Sequence, residues 1–221
     1  MVSPKKIGEF RNKLAKTAQT SHYQVFFDGL SRNLFNYLAR KGVDRRFIIE
    51  NAGLLCNSAS LPGSTLGTSD IFGNFTGVQE KFAHTRIFTE LVLSFYVDSD
   101  YKMIKFLEHW IEYISSGSEI SKNSFFSKSS PAYFYRMRYP RGASGYKCDR
   151  VKIVKFERDY DQELEYTFIG MFPISLSSTP VQYGSSDTLQ VNCTFNYERY
   201  ISGKDNSLNV QRGDNENFRL F

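Results

Sequence analysis

Cysteine is scarce in this chain: Cys56, Cys148 and Cys193 only, far apart and at no metal-ligand spacing. That count argues against a disulfide framework and against a zinc site, and suits a reducing compartment. Histidine is as sparse, with His22, His84 and His109 the candidates for a general base. A catalytic serine or thiol needs such a base plus an orienting acid. Neither the G-x-S-x-G turn nor the lysine-bearing glycine loop is present, and no cation flanks Cys56 to acidify it. No apolar run approaches membrane-spanning length, and the N-terminal stretch MVSPKKIGEFRNKLAKTA carries charge where a signal peptide needs apolar residues. The expectation is a non-enzymatic chain without cofactor, metal or membrane insertion. Asn74 and Asn192 stand in glycosylation-type tripeptides, read as chance matches.

Aromatic residues, by contrast, are abundant, at 16% of the chain and mostly Phe and Tyr. Such side chains fit a pleated, half-buried surface and favour strands. HYQVFF (22–27) reads as a strand. In ELVLSFYVD (90–98), Leu91, Leu93, Phe95 and Val97 point one way and Val92, Ser94 and Tyr96 the other. LQVNCTFNYERY (189–200) alternates as cleanly, Leu189, Val191, Cys193, Phe195 and Tyr197 against Gln190, Asn192, Thr194 and Asn196. KIVKFERDYDQELEYTFIGMFPI reads as two strands about an Asp-rich turn, and AYFYRMRYP (132–140) as another strand. Residues 63–86, rich in Gly, Ser and Thr, read as a long loop or extended hairpin.

Three helices are expected. Ser3-Pro4 opens a basic N-terminal arm (1–20). Ser31 and Gly42 bracket a stripe of Leu34, Phe35, Leu38 and Ala39 inside a helical insertion, 31–51. Asp98-Ser99-Asp100 caps KMIKFLEHWIEYI, whose Met103, Leu107, Trp110 and Ile114 share a face, with Ile104 and Ile111 beside it. The central domain runs from 21 to 201, and a polar tail (202–221) follows, with Phe218, Leu220 and Phe221 able to anchor on a neighbour.

Two chemical signals compete. Between 133 and 158, Arg136, Arg138, Arg141, Lys147 and Arg150 are interleaved with aromatics such as Tyr133, Tyr135 and Tyr139. Basic strands with aromatics serve single-stranded nucleic-acid binders, by stacking and phosphate neutralisation. The same residues would equally meet an acidic patch on a protein, and the net charge of +5 is mild. Asp159, Asp161 and Glu163 offer calcium-like spacing without the glycine and remaining ligands of a calcium loop.

The uncharged stretch CNSASLPGSTLGT (56–68) is the other signal. Pro62 forfeits a ladder donor and Gly63 permits a sharp redirection, so Leu61, Pro62 and Gly63 read as a structural corner. Taken in order, CNSASLPG, the Gly-rich segment, LVLSFYVDSDYKMIKFLEHWIEYI, YTFIGMFPISLSS and VQYGSSDTLQVNCTFNYERY resemble the inner tail tube proteins of contractile-tailed bacteriophages, over residues 22–200.

The resemblance implies a mainly β (α+β) fold of two packed antiparallel sheets with one flanking helix, in which the strands at 90–97 and 189–197 pair. It also implies a non-enzymatic virion protein, assembled in the bacterial host cytoplasm. Self-association would give six-fold rings, stacked into a tube that passes DNA without sequence readout and is contacted by sheath and baseplate proteins. The insertion at 31–51, the C-terminal extension and FPISLSS resemble the baseplate-proximal tube initiators, so main tube subunit and initiator both stay open.

Overall fold

A computed structural model describes residues 17–71, 77, 79–115, 137–157, 163–177, 179–184 and 187–203. The basic arm up to residue 16, Tyr133, Tyr135, Arg136, Asp159, Asp161 and the tail beyond residue 203 lie outside them.

Alternating sequences fold into two four-stranded antiparallel sheets. The first sheet contains β1 (Tyr23–Asp28), β6 (Arg150–Phe156), β7 (Glu163–Ile169) and β10 (Arg199–Ser202), in the order β1-β6-β7-β10. The second contains β2 (Cys56–Ala59), β5 (Leu91–Tyr96), β9 (Gln190–Asn196) and β8 (Phe172–Leu176), in the order β2-β5-β9-β8. A separate hairpin joins β3 (Ser64–Ile71) to β4 (Glu80–Phe88). As expected, the segments at 90–97 and 189–197 pair, with Leu93 opposite Cys193.

Every second side chain of these strands faces one shared core. Val25, Phe27, Val151, Ile153 and Phe168 come from the first sheet; Leu91, Leu93, Phe95, Val191, Cys193 and Phe195 come from the second. The Phe27 ring lies 6.1 Å from Phe95 and 6.3 Å from Phe195, at tilted angles suited to aromatic pairs.

Helix α1 (Arg32–Arg40) starts where Ser31 Oγ accepts the Leu34 N–H at 3.3 Å, and it buries Leu34 and Leu38. It is followed by a wide helical turn, Phe47–Asn51, closed by the Ala52 N–H donating to Phe47 O at 2.9 Å. The chain then passes directly against β1. A Cβ on Gly53 would lie 1.6 Å from Val25 O, so only glycine fits there.

Helix α2 (Lys102–Ser115) is capped by Asp98, whose Oδ1 accepts the Met103 N–H at 3.2 Å. It flanks the sandwich and contacts β8 and α1. Its buried face is Met103, Phe106, Leu107, Trp110 and Tyr113. The expected stripe is therefore rotated: Phe106 and Tyr113 are inside, while Ile104, Ile111 and Ile114 are only half-buried. Phe27 draws Phe106 inward, with centroids 5.4 Å apart, and Tyr113 reaches Ser144 O at 3.0 Å.

Two further expectations change. Met137–Pro140 forms no strand; Arg138 N–H donates instead to Ile114 O at 2.9 Å, behind α2. The two long alternating segments also break into four strands. Near Gly170 (φ +68°) the chain leaves the first sheet for the second, from β7 to β8. Alongside, at Tyr197 and Glu198, it returns from β9 to β10, and the Glu198 N–H donates to Ile169 O at 3.0 Å. The antiparallel pair β7/β10 thus turns the sandwich corner and continues as β8/β9.

Candidate assembly surfaces

The corner expected from Leu61, Pro62 and Gly63 lies between the second sheet and the hairpin. Ser60 N–H still donates to Val92 O at 3.3 Å, the last tie to β5. Leu61 is exposed, while Pro62 and Gly63 are half-buried. Gly63 and Thr89 then clasp each other: Thr89 N–H donates to Gly63 O, and Gly63 N–H donates to Thr89 Oγ1, both at 3.2 Å. From this clasp the hairpin runs from Ser64↔Phe88 to Ile71↔Glu80, with a register shift at Gly67/Thr68.

This hairpin is solvated on both faces. Leu66 is 62% exposed and Ile87 56%, with Ile71 and Phe82 similarly open. A two-stranded ribbon is marginally stable on its own in water and needs something to pack against. At its root it has such support. The Arg86 guanidinium stacks 5.0 Å from the Phe88 ring and 5.1 Å from the Tyr200 ring, and it donates to Tyr200 Oη at 2.9 Å and Ser64 Oγ at 3.1 Å. Tyr200 belongs to β10, so this stack fastens the hairpin to the first sheet. Toward the tip no comparable support exists among the described residues. Sequence reading missed Arg86, Phe88 and Tyr200. The alternation of Arg86 with Phe88 was visible, but their partner lies more than a hundred residues away.

The sheets leave four edge strands: β1 and β10 in the first, β2 and β8 in the second. On the outward face of the second sheet stand Val92, Tyr96, Gln190, Asn192 and Asn196, all exposed and none charged.

The remaining predicted residues occupy other positions. Met103, Leu107 and Trp110 are fully buried, and Trp110 Nε1 donates to Tyr146 O at 3.0 Å. Of the basic set, Arg136 is outside the described residues. Arg138 stacks 4.2 Å from the Tyr113 ring and donates to Tyr113 O at 2.8 Å. Arg141 bridges Asp149 at 3.2 Å and Glu198 at 2.6 Å, and Lys147 meets Glu198 at 2.7 Å. These contacts, the Lys147 hydrogen bond foremost, hold the Glu198 carboxyl below its usual range. Arg150 stands exposed at the start of β6, opposite Asp28. Arg138, Arg141 and Lys147 are thus engaged inside the subunit, whereas Arg150 faces solvent.

Nucleophilic chemistry finds little support in the geometry. Burial pushes the Cys148 and Cys193 thiols up to about 12 and the Cys56 thiol up to about 11, so all three are protonated near neutrality. His22 touches Ser21 Oγ at 2.8 Å on the exposed surface, His84 touches Thr85 at 2.7 Å, and His109 pairs with Glu112 at 2.8 Å inside α2's flank. Among the described residues no three His, Cys, Asp or Glu side chains converge as metal ligands, and no helix is long and apolar enough to cross a membrane.

Solved structures share the fold at low identity. The chain resembles a component of the "PVC sheath-tube complex in extended state" of an extracellular contractile injection system, with TM-score 0.52 and 13% identity, covering 90% of this chain and 99% of that one. It resembles chains of the tube-terminating cap and the six-fold symmetrised baseplate of the anti-feeding prophage, with TM-scores 0.51 and 0.50 and 14% identity each. Each of these covers 85% of this chain, and 91% and 97% of its counterpart. No curated protein matches the chain. The family model described as phage tail tube protein matches residues 18–203, spanning both sheets, the hairpin and both helices, and the chain belongs to that family.

Proposed function

We propose that this chain joins copies of itself in six-fold rings, which stack as the inner tube of a contractile tail and enclose a channel for DNA. The β3–β4 hairpin carries the reading. It is long, leaves Leu66, Ile71, Phe82 and Ile87 open to solvent among polar neighbours, is fixed at the root and is unsupported toward the tip among the described residues, as an arm that completes its packing on a neighbouring copy is expected to be. Ring closure would also give the edge strands partners and remove their liability to uncontrolled pairing.

In this arrangement the uncharged second sheet lines the channel. Its amide and hydroxyl groups offer DNA no fixed charge to bind, so the polymer slides without sequence readout. The first sheet and α2 face outward, toward sheath and baseplate proteins. The chain serves either as main tube subunit or as tube initiator at the baseplate. The role is structural rather than enzymatic, in the virion tail, with assembly in the host cytoplasm.

A single-stranded nucleic-acid module built on Arg138 and its neighbours is the weaker reading, because Arg138, Arg141 and Lys147 are held by intramolecular partners. Electron microscopy of the purified protein, alone and mixed with baseplate or tube fractions, tests the proposal: rings or tubes about a central channel are expected. A monodisperse monomer under all conditions that binds oligonucleotides with steep salt dependence would instead select the nucleic-acid module.

A further inference from the structure

The β3–β4 hairpin has two unlike sides, and its register separates them. Paired residues share a side, and successive residues alternate. The extra residue at the register shift is His84 on β4, so alternation along β3 runs through unbroken. Thr65↔Ile87, Ser69↔Phe82 and Ile71↔Glu80 therefore stand on one side. The other side carries the Arg86 stack at the root and, near the far end, the Asp70–Lys81 pair at 3.9 Å. On the first side Ile71, Phe82 and Ile87 are each half exposed or more, and the only charge is Glu80. Glu80 is exposed and makes no ion pair among the described residues. This side is thus an apolar strip that ends in one free carboxylate.

The helical insertion holds the complement of such a strip. Its cleft measures about 450 Å³ and is lined by Leu30, Arg32, Phe35, Asn36, Ala39 and Arg45. Leu30, Phe35 and Ala39 give it an apolar floor, and the Arg45 guanidinium lies 5.0 Å from the Phe35 ring. Arg32 and Arg45 are exposed, and neither pairs with a carboxylate among the described residues. An apolar floor removes Phe and Ile side chains from water, and a free guanidinium beside it offers a carboxylate a bidentate partner.

Arm and cleft lie at opposite edges of the first sheet. The hairpin root is fastened to Tyr200 on β10, whereas the cleft opens beside Leu30, just past the end of β1. An arm at one edge and a receptor at the other suit a head-to-tail contact, in which each copy gives one and receives one. We propose that the Ile71/Phe82/Glu80 side of the hairpin seats in the Arg32/Arg45 cleft of a neighbouring copy, with Phe82 on the Leu30–Phe35 floor and Glu80 on Arg45. The assignment rests on the self-assembly proposed above and supplies the receptor for its arm.

Sedimentation velocity over a concentration series, with electron micrographs of the same samples, tests it on the full chain. E80R and R45E should each weaken self-association about tenfold, because each sets like charges together. F82A should weaken it by a comparable factor, through lost apolar burial. E80R/R45E exchanges the two charges and should recover association to within about threefold of the unsubstituted chain, as a direct contact requires. Denaturant unfolding of the single variants should match that of the unsubstituted chain, since all three positions are exposed. If E80R and R45E assemble as well as the unsubstituted chain, the docking is overturned while self-assembly stands. A double variant no better than the singles also overturns the docking. R45E impaired with E80R unaffected gives the cleft to another occupant and overturns it too. An unsubstituted chain that stays monomeric at every concentration overturns self-assembly and the docking together.

Discussion

The two sheets of this molecule share one core yet differ in what they show to the outside. The strands of the second sheet read CNSA, LVLSFY, FPISL and QVNCTFN, and contain no charged residue. The strands of the first sheet contain Asp28, Arg150, Lys152, Lys155, Glu163, Glu165 and Arg199. On its outward face Lys152 pairs with Glu165 at 2.9 Å, with both side chains largely buried, at 17% and 11% exposure. Charges on strands are a common defence against unwanted strand addition. The first sheet has that defence and the second lacks it.

Substitution can separate the shared inside from the divergent outside. The largest effect is expected in the core. Phe195→Ala in the second sheet and Phe27→Ala in the first should each cost about 3–5 kcal/mol in denaturant unfolding, because their rings meet in one cluster. A loss confined to one of the two would show that the sheets do not share a core. Next comes the charged face of the first sheet. Glu165→Leu removes the carboxylate that meets Lys152 and accepts from Thr167 Oγ1 in a largely shielded position, at about 1–3 kcal/mol.

On the second sheet an outward substitution should leave stability alone and act on what the proposed channel holds. Asn192→Lys, at an exposed site in the central strand β9, is expected to change unfolding free energy by no more than about 0.5 kcal/mol, while assembled material gains salt-dependent retention of DNA. Retention no greater than that of the unsubstituted chain would argue against the second sheet as the channel wall.

The smallest effect concerns the corner between the sheets. Glu198 titrates below its usual value near 4.5, through Lys147 first and then Arg141. Its contribution is therefore present above that ordinary value and is lost as pH falls through the lower, folded one. Glu198 is partly solvated, so thermal melts from neutral pH down to about pH 3 should show a dependence worth less than about 1 kcal/mol that Glu198→Gln flattens.

How much of this was legible beforehand follows from how local each signal is. Strand β5 and strand β9 were readable because alternation is a property of neighbours in sequence, and α1 because Ser31 and Gly42 mark its ends. The rotated face of α2 was not, since periodicity gives a stripe but not the partner that decides which flank of the stripe is buried. In LQVNCTFNYERY the alternation holds to Tyr197 and lapses at Arg199, so β9 was readable whereas the short β10 has no pattern of its own. The LPG corner was visible as a corner; the clasp with Thr89 and the Arg86–Tyr200 stack that aim the hairpin are tertiary. The basic run was visible as charge, whereas its carboxylate partners, Asp149 and Glu198, depend on how strands are brought together.

The paired strands that turn the sandwich corner at Gly170 and Glu198 also have a mechanical consequence. Two chains crossing side by side, bonded before and after the bend, form a brace rather than a hinge. Torque applied to one layer passes to the other through backbone hydrogen bonds loaded in shear, without waiting for side chains to repack. A chain braced in this way should twist as a single body when either layer is wrenched.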